Sequence, residues 1–337
     1  MMWSEKISLK LALLNAENLF LLFDRPPTME MTRADEIEWQ RFSTSIFPNK
    51  SLKKVKELVR VIQDINADIL MLCEIGGPES LINFSNLFLN QTYSPIAIEG
   101  NSDRNIDVGF LIKKNSPFYF DLATNKNRLI NFLYPHERNQ AAGAIKITSH
   151  KFSRDVAELR LFKKDRDNPF LVMLLTHLKS PLDPERRDPM GSQRRHAELK
   201  TLLEIYKEVE ALHPTCPMVM AGDFNGNASR IGTDMEFESI YQTTGLQDIL
   251  ELNAKPVAER ATYYQVRSGG RVEGKQIDYC FLSPRAATFL KPGSAQVYRY
   301  KDEFGFAIDI PNTIDAKLNL PSDHYPLIFE LENLEVF

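Results

Sequence analysis

Met218-Val219-Met220-Ala221-Gly222-Asp223-Phe224-Asn225-Gly226 begins as a short apolar run and breaks off in glycine, a carboxylate and an amide. The first half reads as a buried strand, while the second half, taken alone, reads as a turn, because Gly, Asp and Asn are turn residues. The pattern recurs along the chain. The apolar run 7–14 gives way to Asn15, the run 68–73 to Glu74 and the run 170–176 to His177. Asp278 opens the run 277–282, and Asp323-His324 stands just before the run 327–331. Strand ends gather at one rim of a sheet, so these polar side chains are candidates to meet there.

Around these signals the chain alternates short Val-, Ile-, Leu- and Phe-rich runs with amphipathic segments. Further strands are expected at 108–112 and 156–162. The nearly all-apolar run 68–73 has the pattern of a strand buried on both faces. Ser51 can cap a helix that carries Val55, Leu58, Val59, Ile62 and Ile65 at helical spacing. A long helix is expected at 193–212, with smaller ones near 79–90 and 234–243. Residues 24–50, with Pro26, Pro27 and Pro48, read as a long surface excursion. No repeat, low-complexity tract or Gly/Ser linker breaks the chain, and 1–337 reads as one domain with sheets inside and helices outside.

Composition narrows the class. The chain has 337 residues, 43% apolar and 26% charged, which is ordinary for a soluble globular protein. A net charge of −4 does not advertise nucleic-acid binding. The charge is uneven, however: in 151–200 twelve Lys/Arg stand against eight Asp/Glu, so that strip carries +4 and the remainder −8. A solvated face is the bland account of this strip and an anion-binding surface the functional one. Cys73, Cys216 and Cys280 are odd in number and lie in or beside apolar runs, as buried free thiols do. Lys10, Asn15, Glu17 and Asn18 interrupt the N-terminal apolar stretch, and no run approaches a membrane span. A reducing cytoplasm is the expected location.

Each polar signal has a plain alternative: a loop carboxylate for Glu74, a satisfied core histidine for His177, a turn cap for Asp278. Their joint order is more specific. Leu13-Leu14-Asn15-Ala16-Glu17-Asn18-Leu19-Phe20, Leu72-Cys73-Glu74, Thr176-His177-Leu178-Lys179-Ser180, Gly222-Asp223-Phe224-Asn225, Ile277-Asp278-Tyr279 and Ser322-Asp323-His324-Tyr325-Pro326 together resemble the endonuclease/exonuclease/phosphatase superfamily, with the deoxyribonuclease I-like fold. The resemblance runs from about residue 9 to residue 331. Arg104-Asn105-Ile106-Asp107 resembles a further family segment, which usually has Gly where Asn105 stands. The Asn15 and His177 segments also resemble a bacterial branch of nucleases.

The resemblance implies an α/β fold, a four-layered α/β sandwich of two packed mixed β-sheets flanked by helices, and a metal-dependent phosphoesterase. If Glu74, Asp223, Asp278 and Asp323 converge, like charges about 4 Å apart repel by roughly 4 kcal/mol per pair at an effective dielectric near 20. Such a cluster persists only with protonation, basic partners or a bound cation. All-oxygen ligands favour Mg²⁺ or Mn²⁺, and permit Ca²⁺, over zinc. In the implied roles, Glu74 ligates the metal, Asn15 orients metal or phosphate, and Asp323 supports the metal shell or a second ion. Asp223 contributes to the metal site and holds or deprotonates the attacking water, and Asn225 orients that water or the phosphate. His324 contacts the phosphate while Asp278 fixes its tautomer, and His177 donates to a phosphate oxygen. Arg154 and Arg160 are phosphate-binding candidates, with surface arginine as the alternative.

A calcineurin-like metallophosphatase would need an Asp-x-His near the start and a Gly-Asn-His after Gly-Asp, and neither is present. A catalytically silent binding or scaffold member would have lost ligands, whereas every expected position is filled. The expected reaction is hydrolysis of a phosphodiester, with nucleic acid as the favoured substrate. A small or lipid phosphoester, such as an inositol phosphate or a sphingomyelin-like lipid, is the runner-up.

Overall fold

The computed structural model describes residues 5–141, 148–183, 186–267 and 269–336, with only the backbone of 139–141. In chain order the strands are β1 (Glu5–Leu19), β2 (Ile69–Ile75), β3 (Tyr93–Ala97), β4 (Asp107–Lys113), β5 (Tyr119–Thr124), β6 (Val156–Phe162) and β7 (Leu171–His177). They continue as β8 (Met218–Asp223), β9 (Gln247–Asp248), β10 (Tyr263–Val266), β11 (Val272–Lys275), β12 (Asp278–Leu282), β13 (Gln296–Val297) and β14 (Leu327–Val336). The helices are α1 (Glu36–Arg41), α2 (Leu52–Ile65), α3 (Gly77–Phe88), α4 (Pro135–Ala141), α5 (Ser192–Leu212), α6 (Glu238–Thr243), α7 (Ile249–Leu252), α8 (Pro284–Ala287) and α9 (Ile314–Leu318).

Two six-stranded sheets form, ordered β13-β14-β1-β2-β4-β3 and β5-β6-β7-β8-β12-β9. Each is mixed: β1–β2 and β7–β8 run parallel at the centre, with antiparallel neighbours outside. Because successive strand side chains point to opposite faces, one strand feeds two cores. Leu11 and Leu13 of β1 and Met71 and Cys73 of β2 face Met173, Leu175, Val219 and Cys280 of the other sheet. Ala12, Leu14, Leu70 and Leu72 face outward onto Val55, Leu58 and Ile62 of α2 and Leu81 and Phe84 of α3. On the second sheet, Val172, Leu174, Met218 and Met220 face Leu199, Leu202, Tyr206 and Val209 of α5. Helix, sheet, sheet and helix make the expected four layers.

Ser51 caps α2 as its sequence suggests, accepting from the Lys54 amide, and all three cysteines are buried and free. Residues 24–50 run largely over the surface, as expected, but they are not without structure of their own. They form α1 and a turn of 3-10 helix, and Trp39 is fully buried with its indole N–H donated to the Lys50 carbonyl at 3.0 Å. Its ring meets Phe23, Phe42 and Phe88 edge-on. One buried indole among prolines and charges anchors the excursion to the outer core. Among the described residues no helix is long and apolar enough to cross a membrane.

Where β7 and β8 run side by side, Thr176 is opposite Gly222 and His177 opposite Asp223. A Cβ on Gly222 would lie 1.9 Å from the Thr176 carbonyl oxygen, a backbone atom that cannot step aside. Gly222→Ala is therefore expected to destabilise the fold by at least about 2 kcal/mol, since overpacking here must push the central strands β7 and β8 apart. Chemical denaturation tests this, and an unchanged midpoint would refute it.

Candidate active site

The strand ends do meet at one rim. Asp223, at the end of β8, lies beside Asp278 at the start of antiparallel β12. Asn15 of β1 reaches across from the other sheet and donates through its side-chain N–H to Asp223 Oδ2 at 3.1 Å. His177 Nε2 lies 3.5 Å from the same oxygen. His324 Nδ1 lies 2.8 Å from Asp278 Oδ2, and its Nε2 is 4.0 Å from Asp223 Oδ2 and 3.9 Å from Asp323 Oδ1. Asp223, Asp278 and His324 are all buried, and each offers one atom within 4.8 Å of the others'.

Local structure holds each group. Asn225 is in the left-handed region (φ 54°), so the chain doubles back and its amide donates to Asp223 Oδ1 at 2.9 Å. Its side-chain N–H donates to the Leu178 carbonyl at 3.1 Å, tying the Asp223 and His177 loops together. Ser322 donates to the Asn15 carbonyl at 2.7 Å and accepts from the His324 amide at 3.2 Å. The Tyr300 hydroxyl donates to the His324 carbonyl, and Thr262 accepts from the Asp278 amide at 3.1 Å.

Glu74 owes its aim to a bulge. It sits at φ 60° where the pairing of β2 with β4 slips a residue, and β1 slips likewise past Asn15, with Glu17 and Asn18 at φ 49° and 52°. Bulges re-aim side chains, and here the carboxylate turns to the rim, where the Asn18 amide donates to Oε2 at 3.1 Å. Arg104 donates to the Asn18 side-chain oxygen at 3.0 Å and stands 4.0 Å from Glu74 Oε1. Glu17 is tied to the buried Lys50 at 3.1 Å and to Lys54 at 2.5 Å.

The protonation states diverge. Burial and the neighbouring Asp278 push the Asp223 carboxyl up to about 7, with His324 opposing. Burial and Arg154 push His177 well below the usual histidine range, so it is neutral. Burial alone would also neutralise His324, but Asp278, Asp323 and Asp223 outweigh it and hold the ring protonated well above that range. Burial raises Asp323, yet His324 and Lys317, whose Nζ is 3.3 Å away, bring it below the ordinary carboxylate value.

The two arginines diverge. Arg154 is buried beside the rim, donates to the Leu178 carbonyl at 3.3 Å and feels Glu74 and Asp223. Arg160 is the correction: it lies opposite Val172, five residues back from His177, so roughly 16 Å of strand separates it from the rim. Its guanidinium is held by Glu158 at 2.5 Å, two residues away on the same strand face. Alternation alone could not say which arginine stood at the strand's open end. Lys317 and Tyr263 carried no sequence signal. Lys317 Nζ lies 3.5 Å from the Tyr263 ring centre, and that ring is 5.2 Å from His324. Arg104 had one, in the segment ending at Asp107.

No protein-family profile and no curated protein sequence matches the chain. Solved structures do. An endonuclease/exonuclease/phosphatase family protein from Bacteroides thetaiotaomicron superposes with a TM-score of 0.58 over 98% of this chain and 97% of that one, at 16% identity. The human Nocturnin catalytic domain, solved with bound sulfate, gives 0.57 over 97% and 95%, also at 16% identity. TDP2 from D. rerio, complexed with a single-strand DNA product, gives 0.57 over 96% and 98%, again at 16%. With its paired mixed sheets and flanking helices, the chain has the fold of these neighbours, a four-layered deoxyribonuclease I-like α/β sandwich.

Proposed function

We propose that the chain is a metal-dependent phosphodiesterase acting on nucleic acid. The observation that carries this reading is the buried constellation at the rim, where a carboxylate of raised pKa, a neutral imidazole and a carboxylate-paired imidazolium face one another. Holding three titratable groups in different protonation states within one small volume is the signature of acid–base chemistry. The fold supports it, and so do the sulfate held by the Nocturnin domain and the DNA product held by TDP2.

Two groupings compete for a divalent cation. Asp223, Asp278 and His324 are mutually closest, and Asp278 Oδ1 is buried with no hydrogen-bond partner among the described residues. Yet His324 is cationic there and spends one nitrogen on Asp278, which disfavours a second cation. Glu74 has Arg104 4.0 Å away and the Arg154 charge acting on it, and its carboxylate is the hard oxygen donor that Mg²⁺ or Mn²⁺ prefers. Glu74, Asn15 and Asp223 fit the ion, with Asp323 as a further carboxylate. When bound, the ion supplies Lewis-acid neutralisation of the phosphate and of the developing charge.

The protein groups supply the rest. Asp223 accepts the proton of the attacking water as the water oxygen bonds to phosphorus and the opposite P–O ester bond breaks. The leaving oxygen takes a proton from solvent, and Asn225 orients the attacking water. A pKa of about 7 suits a general base near neutrality. His324 donates from Nε2 to a phosphate oxygen while Asp278 fixes the opposite nitrogen. His177 adds a neutral donor and Arg154 a guanidinium for the phosphate.

In a panel of plasmid DNA, single-stranded DNA, RNA, an inositol polyphosphate and a generic phosphodiester, cleavage is expected with Mg²⁺ or Mn²⁺ and not with EDTA. Asp223→Asn and His324→Ala should each lower turnover by about 10²–10⁴ while folding is retained. Full activity in a folded variant, or silence on every substrate with no metal bound, would overturn the reading. The protonation states have a separate readout in EDTA by NMR titration. His324 should titrate above neutrality, and Asp278→Asn should lower its pKa. A histidine raised in the folded state stabilises fully below its unfolded pKa near 6.5 and loses this as pH rises through the folded value. Stability should therefore fall above neutral pH, less so in Asp278→Asn, and a His324 resonance already neutral at pH 7 would contradict the pairing.

A further inference from the structure

A cavity of about 220 Å³ opens beside Glu74. Three of the chain segments that line it adjoin Glu74 or its neighbours. Phe20 follows Asn18, whose amide holds Glu74; Gly76 and Gly77 follow Glu74 itself; Asn105 and Asp107 follow Arg104. One wall is aromatic: Phe20 is buried, and Phe47 stacks on it with ring centres 5.1 Å apart and planes 14° from parallel. The opposite side is acidic, with Glu79 and Glu99 exposed at the mouth and Asp107 at the base, only 4% exposed.

Asp107 is aimed into this space. Its Oδ1 accepts the Gly100 amide at 2.8 Å, while Oδ2 accepts no hydrogen bond among the described residues. Gly77 sits at φ 78°, a conformation that favours glycine, and its place for a Cβ lies 3.6 Å from that oxygen, an ordinary contact distance. On the Glu99 side, Lys126 Nζ donates to the Glu99 carbonyl at 2.7 Å.

We infer that this cavity is a nucleobase subsite for the nucleotide flanking the scissile phosphate, and that it selects guanine. The inference rests on the nuclease reading of the adjoining site. A cavity smaller than the roughly 300 Å³ of ordinary ligand pockets takes one planar ring system. A stacked aromatic wall suits the face of a base. Ionised carboxylates only accept hydrogen bonds, so they repel a phosphate and favour an edge made of donors. Guanine presents N1–H and the N2 amino group side by side, a pair that one carboxylate can accept. Thymine offers a single N–H between two carbonyl oxygens, which carboxylates repel, and hypoxanthine lacks the amino group.

The test uses the full chain in two arms. In the first, guanosine and thymidine, which carry no phosphate, are titrated into protein in EDTA and followed by NMR. Guanosine is expected to bind at least about 10-fold more tightly than thymidine, and Phe47→Ala to weaken it about 10-fold, with Phe47→Tyr restoring it. Asp107→Asn keeps an acceptor for the Gly100 amide but turns a donor toward the base, so it should abolish the preference. In the second arm, oligonucleotides with guanine, hypoxanthine or thymine beside the scissile bond are compared by kcat/KM. Guanosine binding that fails, or that ignores both variants in folded protein, overturns the inference. Cleavage without base preference overturns it while the nuclease reading stands. Selective guanosine binding without cleavage of any oligonucleotide sinks the nuclease reading and leaves a purine-binding pocket.

Discussion

Asp223 and Asp278 are paired across adjacent strands, both are buried, and two carboxylates so placed repel each other strongly. At about 4 Å and an effective dielectric near 20 the repulsion is roughly 4 kcal/mol, comparable to much of a domain's net stability. The imidazole of His324 resolves it by binding Asp278 directly and facing Asp223. A raised Asp223 pKa takes up what remains. The surrounding structure serves this arrangement: Ser322 and Tyr300 fix the His324 backbone, Thr262 fixes Asp278, and Asn15 and Asn225 bind the two oxygens of Asp223. Gly222 lets the parallel strands come close enough for His177 to join.

Around this centre the backbone departs from regular geometry. Glu17, Asn18, Glu74 and Asn225 all lie in the left-handed region, which non-glycine residues enter at a cost of order 1 kcal/mol each. The departures fall where two sheets end and their hydrogen-bond ladders have no next rung. Each is held by a specific contact: Asn18 by Arg104, Glu17 by Lys50 and Lys54, and Asn225 by Leu178. Glu74 is held in turn by the Asn18 amide. Left-handed residues occur elsewhere too, as at Asn333 within β14, but these four gather at the one rim where the buried polar side chains meet.

This division explains what the sequence disclosed. Near-continuous apolar runs expose the central strands, because burial on both faces demands them, and β6 was legible to the residue. The terminal polar residues pointed to the rim for the same reason: each interrupts a run that must otherwise stay apolar. The hairpin of β10 and β11 was missed because its strands are half-exposed and mixed in composition. Trp39 shows the converse, a fully buried side chain outvoted by its polar neighbours. Arg154 and Arg160 are alike in sequence and differ only in distance along the strand, which register decides. Lys317 reaches Asp323 from a short helix with no buried residue, so no apolar pattern marks it.

The first sheet has one more consequence. Its last long strand, β14, is inserted between β13 and β1, so β1 completes its ladder only when the C-terminal strand arrives. His324 lies just ahead of that strand and closes the site against Asn15 through Ser322, across 307 positions of sequence. Contacts so distant form late, after shorter loops have closed. On the ribosome, therefore, the growing chain can assemble most of both sheets while its acid–base centre does not yet exist. A copy lacking β14 lacks the strand that seats Ser322 against Asn15 and His324 against Asp278, so its buried acid–base cluster stays unassembled.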